Sequence, residues 1–219
     1  MARAVAALLL ALAAFTVAPR ASAAGPDPVL LVHGYRGNPA TWADMAAFLK
    51  AHGRNVFAID LPGEDNVANA KAIRDKLLAL KWTKVDLVGQ SMGGLSARWF
   101  AKFIATSGTV DAYVSLGTPQ RGLWRTCVLP SWYGGQMCPA RGFLRELNSG
   151  DDTPGPTYWT TIFSTSDGYV SVDASKLDGG ACFVSVDGVG HNAMDNDRGV
   201  MASTLAAIDR HCTGTYRPS

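Results

Sequence analysis

The strongest constraint on the fold is the alternation of short, continuously apolar runs with stretches of helical periodicity. Helical stretches between strands imply crossover connections, and hence a mostly parallel central sheet with helices on both faces. Strands buried on both faces are continuously apolar rather than alternating. The sequence therefore predicts an α/β fold. The predicted strands are 29–32, 56–59, 85–88, 110–116, 158–163 and 182–186, and the predicted helices are 41–51, 67–80, 92–105 and 198–211.

The first 24 residues have the pattern of a secretory signal peptide. Arg3 is followed by the almost wholly apolar stretch 4–18, and Ala21-Ser22-Ala23 has the small-x-small form of a cleavage site. A membrane anchor is the alternative. The apolar stretch is shorter than the roughly 20 residues that a bilayer span requires, and Pro19-Arg20 ends it. We therefore expect cleavage here and a secreted, single mature domain over residues 25–219.

The charge of the mature chain argues against a nucleic-acid partner. The full sequence has 20 Lys and Arg against 18 Asp and Glu. Arg3 and Arg20 belong to the predicted signal peptide, which leaves 18 basic against 18 acidic residues. A nucleic-acid-binding protein would carry a basic excess on its surface.

Four cysteines follow the predicted signal peptide: Cys127, Cys138, Cys182 and Cys212. In an exported protein an even number of cysteines indicates disulfides, with three possible pairings here. We favour nearest-neighbour pairing, because Cys127–Cys138 closes a Trp-, Gly- and Pro-bearing loop and Cys182–Cys212 ties a late strand to the last helix. A zinc site is the alternative, but the chain lacks a C-x-x-C spacing, and no cysteine has zinc-ligand spacing to a histidine. We therefore expect two disulfides and no metal.

A candidate nucleophile lies between the third predicted strand and the third predicted helix. Gly89-Gln90-Ser91-Met92-Gly93 has the G-x-S-x-G pattern. A sharp strand-to-helix turn at the serine brings the positions two residues away on either side too close for side chains, which explains the two glycines. A glycine-rich turn with a helix-capping serine is the alternative. The position directly after an apolar strand favours the nucleophile.

A serine hydroxyl needs a neighbouring base that accepts its proton. The chain has four histidines, and in α/β-hydrolases the order along the chain is Ser, then acid, then His. His33 and His52 precede Ser91; we expect His33 to brace a loop and His52 to lie on the surface. His211 lies at the end of the chain beside a cysteine. His191 alone follows a strand after Ser91, so we predict His191 as the base.

The acid that orients the histidine must lie between Ser91 and His191 in the sequence. Asp167 leaves the carboxyl end of the predicted strand 158–163, the edge at which open α/β sheets place their sites. Asp187 leaves the same strand as His191 and has little freedom to reach it. We therefore predict Asp167. The other candidates are Asp111, Glu146, Asp151, Asp152, Asp173 and Asp178, of which Asp151 and Asp152 are expected in a solvated loop.

Acyl transfer also needs donors for the developing oxyanion. One is expected to be the backbone N–H after the nucleophile, that of Met92. The other is expected from the loop after the first strand, His33-Gly34-Tyr35-Arg36-Gly37, where Tyr35 N–H is the natural candidate.

These motifs together carry a family resemblance. Val32-His33-Gly34, Gly89–Gly94, the run 158–170, the stretch 177–179 and Gly188-Val189-Gly190-His191 occur in order over nearly all of the mature chain. The chain resembles the small secreted bacterial lipases, which are minimal, lidless members of the α/β-hydrolase fold. The resemblance implies Ser91, Asp167 and His191 as nucleophile, acid and base, Tyr35 and Met92 as oxyanion donors, and no cofactor.

One stretch, 122–139, departs from the smallest members of that family. It holds Trp124, Trp132, Tyr133 and the predicted Cys127–Cys138 pair. Two hypotheses stay open: these aromatic residues line or rim the acyl pocket and bind substrate, or they pack inward under a stapled surface loop.

We expect a secreted serine carboxylester hydrolase, a triacylglycerol lipase or a short-chain esterase. The expected partner is an ester or lipid substrate, with no stable membrane insertion and a monomeric state. Alternatives are the same chemistry on polyester, cutin or a thioester, and a hydrolase-like binding protein without turnover. Few residues remain for a lid, so activity on soluble esters is expected without an interface.

Overall fold

The architecture is one mixed sheet of seven strands with helices on both faces. The computed structural model describes residues 25–216, so the predicted signal peptide lies outside the described residues. The strand order is β2-β1-β3-β4-β5-β6-β7, and every neighbouring pair is parallel except β6 and β7. The predicted α/β fold is confirmed. The strands are β1 Val29–Val32, β2 Val56–Ile59, β3 Val85–Gln90, β4 Val110–Leu116, β5 Tyr158–Phe163, β6 Cys182–Ser185 and β7 Thr215–Tyr216.

Strand β1 shows why the central strands are continuously apolar. Its four side chains are completely buried, and they alternate between two hydrophobic cores. Leu30 and Val32 face the core under helices α2 (Asn66–Leu80) and α3 (Met92–Trp99). Val29 and Leu31 face the core under α1 (Ala43–Ala51) and α5 (Arg198–Ile208). Both faces are therefore covered, as expected for parallel strands. The helices are α1 Ala43–Ala51, α2 Asn66–Leu80, α3 Met92–Trp99, α4 Gly142–Leu147 and α5 Arg198–Ile208.

Aspartate caps define where two of these helices begin. The side chain of Asp65 accepts hydrogen bonds from the N–H groups of Val67 and Ala68 at the start of α2. Asp197 does the same for α5. Such caps satisfy N–H groups that have no acceptor within the helix.

The structure differs from the predicted elements mainly at helix ends and in short segments. The predicted helix 92–105 is α-helical only to Trp99 and continues as a π-helix, Phe100–Ile104. The predicted helix 198–211 ends at Ile208. Helix α4 and strand β7 were not predicted, because six and two residues are too few for a periodic pattern.

Both predicted disulfides are present. Cys127 pairs with Cys138, with Cα atoms 4.7 Å apart, and Cys182 pairs with Cys212, with Cα atoms 5.7 Å apart. The second bridge links β6 to the segment after α5. Between residues 25 and 216, no helix is long and apolar enough to cross a membrane.

Candidate active site

Ser91 occupies a strained turn between β3 and α3. Its φ is 54° and its ψ is −126°, which is rare for a residue with a side chain. A Cβ atom on Gly89 would lie 2.6 Å from Gly94 Cα, and one on Gly93 would overlap the carbonyl oxygens at the end of β1. Glycine is therefore required at both positions, and the turn presents the Ser91 hydroxyl above the carboxyl edge of the sheet.

The structure brings Ser91, His191 and Asp167 into one hydrogen-bonded row. His191 Nε2 lies 2.9 Å from Ser91 Oγ, and His191 Nδ1 lies 2.8 Å from Asp167 Oδ2. All three residues are buried. A carboxylate at this position keeps the proton on Nδ1, which leaves Nε2 free to accept the proton of the serine. The row has the geometry of a nucleophile, a base and an acid.

Backbone hydrogen bonds hold Asp167 and His191 in place. Asp167 Oδ1 accepts from the N–H groups of Tyr169 at 2.9 Å and Val170 at 2.6 Å. The N–H of His191 donates to the carbonyl oxygen of Asp167 at 3.0 Å, which joins the two loops. Gln90 Nε2 donates to the carbonyl oxygen of His191 at 3.2 Å. No role for Gln90 was predicted from the sequence, although its position directly before Ser91 places it beside the site.

The alternative acids lie elsewhere. Asp187 is exposed and accepts a hydrogen bond from Ser185. Asp152 is buried, contrary to the expectation of a solvated loop, because its carboxylate pairs with Arg98 at 2.7 Å and with Arg121 at 2.6 Å. Among the other histidines, His33 accepts a hydrogen bond from Leu61 N–H and braces its loop.

A cavity of about 360 Å³ opens beside Ser91 and His191. Asp167 lies behind the histidine and does not line it. Much of the wall comes from the stretch 122–139, so this part of the chain does form the pocket. The lining residues are Tyr35, Gln90, Ser91, Leu123, Arg125, Thr126, Leu129, Met137, Tyr169, His191 and Asn192.

Trp124, Trp132 and Tyr133 are not among the residues that line this cavity, and a position at its rim stays a hypothesis. Their exposed fractions are 74%, 68% and 37%, and none of them is a lining residue. They do not pack inward under the loop either, since the indoles face solvent. A 3₁₀ helix, Trp124–Val128, turns Thr126 toward the cavity and leaves Trp124 outside. Tyr133 contacts Tyr35 edge-on, with ring centroids 5.8 Å apart, and so supports a lining residue from behind.

The two residues expected to supply oxyanion donors, Met92 and Tyr35, lie in the turns after β3 and β1. Met92 is the first residue of α3, so its N–H has no acceptor within the helix. Tyr35 follows β1 and lines the cavity. Burial, together with a hydrogen bond to Tyr133, raises the pKa of the Tyr35 phenol above its usual value, so this side chain remains neutral at physiological pH.

One group of carboxylates, Asp27, Asp86 and Asp111, has the spacing of a cation site. It lies at the opposite end of β3 from Ser91. The ammonium group of Lys84 already lies 2.9 Å from both Asp27 and Asp111. This group therefore has a counter-ion from the chain itself.

Known proteins share both the sequence pattern and the fold. A family model described as "Alpha/beta hydrolase family" matches residues 29–204. A triacylglycerol lipase of Burkholderia plantarii is 32% identical over 129 residues, or 52% of this chain and 36% of that protein. A triacylglycerol lipase of Pseudarthrobacter phenanthrenivorans is 32% identical over 109 residues, or 43% of this chain and 34% of that protein. The alignments thus span about a third of each relative's length.

Among solved structures, the mature form of Bacillus licheniformis lipase BlEst2 superposes with a TM-score of 0.71 at 18% identity. The match covers 86% of this chain and 94% of that chain. At this identity the likeness establishes a common fold.

Proposed function

This chain belongs to the α/β-hydrolase family, and from that premise we propose that it is a serine carboxylester hydrolase, either a triacylglycerol lipase or a short-chain esterase. The observation that carries the proposal is the row of Ser91, His191 and Asp167, with contacts of 2.9 and 2.8 Å beside an open cavity. The two lipases, which match 52% and 43% of the chain, support the same class of substrate.

The proposed reaction is an acyl transfer in two steps. Ser91 Oγ attacks the ester carbonyl while His191 Nε2 takes its proton, and the developing oxyanion accepts hydrogen bonds from the N–H groups of Tyr35 and Met92. His191 returns the proton to the leaving alcohol, which leaves an acyl group on Ser91. Water activated by His191 then releases the acid. Asp167 holds the imidazole and stabilises its positive charge throughout.

The cavity supports activity on soluble esters. Its walls come from short turns and from a segment closed by the Cys127–Cys138 bridge, and Ser91 and His191 both line the space. The proposed enzyme therefore needs no lipid interface to uncover its nucleophile. A strong rise in rate above the solubility limit of the substrate would contradict this part of the proposal.

We further propose that residues 1–24 are a cleaved signal peptide and that residues 25–219 form a single secreted domain. Two disulfides support an oxidising compartment, since such bridges persist outside the cytosol.

The deciding experiment compares the mature protein with its Ser91→Ala variant on p-nitrophenyl esters of increasing acyl length. We expect the wild type to be active and the variant to lose activity by at least about a thousandfold. The length profile distinguishes an esterase from a lipase. Labelling with a fluorophosphonate, followed by peptide mass spectrometry, is expected to modify Ser91. An inert and unlabelled wild-type protein would favour a binding role instead.

A further inference from the structure

Arg125 is the cationic residue of the cavity beside Ser91. None of the other ten lining residues is Lys or Arg, and none is Asp or Glu. A cleft with charge of one sign attracts ligands of the opposite sign, because low-dielectric walls concentrate the field. This charge would attract an anionic group on a substrate more strongly than it attracts an uncharged ester.

The guanidinium group of Arg125 is held near the reacting groups. Its Nη2 donates to the carbonyl oxygen of Tyr169 at 2.8 Å, and its Cζ lies 4.9 Å from the Tyr169 ring centroid. The same ring contacts His191, with centroids 5.2 Å apart. Tyr169 thus bridges the imidazole and the guanidinium group. Because the side chain is already ordered, less conformational entropy is lost when it binds a ligand.

No carboxylate of residues 25–216 forms an ion pair with Arg125, whereas Arg98 and Arg121 both pair with Asp152. The sequence has four arginines and no Asp or Glu between Asp111 and Glu146, so an acidic partner must come from outside this stretch, as Asp152 does for Arg121. The nearby carboxylate of Asp167 already accepts hydrogen bonds from His191 and two backbone N–H groups. Arg125 therefore keeps N–H donors available to a ligand.

We propose that Arg125 makes the enzyme selective for esters that carry a second, anionic group several bonds from the scissile carbonyl, such as half-esters of dicarboxylic acids. The inference rests on the proposed ester hydrolase function and specifies its substrate class. The planar guanidinium group matches a carboxylate in geometry as well as in charge. Water screens the pair, because Arg125 is exposed, so the selectivity is a factor of about five rather than of thousands.

The experiment compares each half-ester with its neutral isostere, in which a primary amide replaces the free carboxylate. Monoethyl esters of succinate, adipate and suberate vary the distance on the acyl side, and acetylated hydroxy acids vary it on the alcohol side. The readout is the ratio of kcat/KM for the acid to that for the amide. In wild-type protein we expect a ratio of about five for at least one spacer, carried mainly by KM and falling at high salt.

Variants separate charge from shape. Arg125→Gln is expected to lower this ratio to about one, and Arg125→Lys to keep part of it. Arg141→Gln is the matched control. Arg141 lies two residues after the segment 122–139, contacts the carbonyl oxygen of Cys127 and does not line the cavity, so the ratio of this variant should equal that of the wild type. The inference is overturned if the Arg125→Gln ratio matches the wild-type ratio in both series. Failure of the wild type on every ester would instead refute the proposed function.

Discussion

Asp167→Asn is the sharpest test of the proposed catalytic row, because the structure dictates how the new amide must lie. Two backbone N–H groups point at Asp167 Oδ1, so the amide oxygen of asparagine takes that position. The amide nitrogen then faces His191 Nδ1, where Asp167 Oδ2 now lies at 2.8 Å. An N–H donor there selects the tautomer with the proton on Nε2. That nitrogen can no longer accept the proton of Ser91.

We expect the variant to lose about 10,000-fold in kcat, which corresponds to about 5.4 kcal/mol of transition-state stabilisation. The assay is steady-state hydrolysis of p-nitrophenyl butyrate, with the midpoint of thermal unfolding as a check on folding. Asp187→Asn is the matched control: it also follows a strand near His191, but it is exposed and should leave kcat within about twofold. The reasoning is refuted if folded Asp167→Asn keeps a tenth of the wild-type kcat, or if Asp187→Asn loses as much.

Three further predictions concern stability, the cavity wall and its disulfide. Burial and two neighbouring carboxylates raise the pKa of Asp86 to about 8. Between about pH 4 and pH 8 the folded state therefore holds a proton that the unfolded state releases, and the free energy of unfolding falls by up to about 1.4 kcal/mol per pH unit. Asp86→Asn should flatten this decline, as measured by thermal melts across this pH range. The prediction is contradicted if the stability of the variant falls with pH as steeply as that of the wild type. Leu129→Ala should shift the preferred acyl length, whereas Trp132→Ala should not, because Leu129 lines the cavity and Trp132 does not. Replacing Cys127 and Cys138 by serine should lower the free energy of unfolding by up to about 3 kcal/mol and raise KM more than it lowers kcat, as measured by denaturant titration and steady-state kinetics.

The sequence predicted the sheet and the row of catalytic candidates because both follow from strand positions. A strand buried on both faces is recognisable as an apolar run, and the residue at its carboxyl end lies at the edge where sites form. Asp167 was preferred over Asp187 because Asp187 leaves the same strand as His191, and the structure places Asp167 against His191. Asp152 was misjudged because its partner Arg98 lies 54 positions earlier, on α3. A partner so distant in the sequence leaves no local pattern from which the burial of Asp152 could be predicted.

The sequence does not reveal which residues of 122–139 face the cavity, because this part of the wall is built around two 3₁₀ turns, Trp124–Val128 and Gly135–Met137. A run of three to five residues is too short for a period to reveal which side faces inward. The large aromatic residues of this segment are conspicuous in the sequence, but the smaller Leu123 and Leu129 are among the residues that line the cavity.

The wall segment 122–139 is fastened at points remote from the loops that carry Asp167 and His191, and also, through Arg125, to the carbonyl oxygen of Tyr169. Gln136 accepts a hydrogen bond from Asn66 N–H at 2.6 Å and donates to Asp65 at 3.0 Å, so the segment is joined to the start of α2. The Cys127–Cys138 bridge and a bond from Leu123 N–H to the carbonyl oxygen of Met137 close it on itself. The loops that carry Asp167 and His191 both leave the edge of the sheet. They are joined to each other by the bond from His191 N–H to the carbonyl oxygen of Asp167 and by the contact between the two side chains. Since interactions that share no partner contribute nearly additively, substitutions in this segment at positions other than Arg125 should change substrate preference while leaving the proposed proton relay intact.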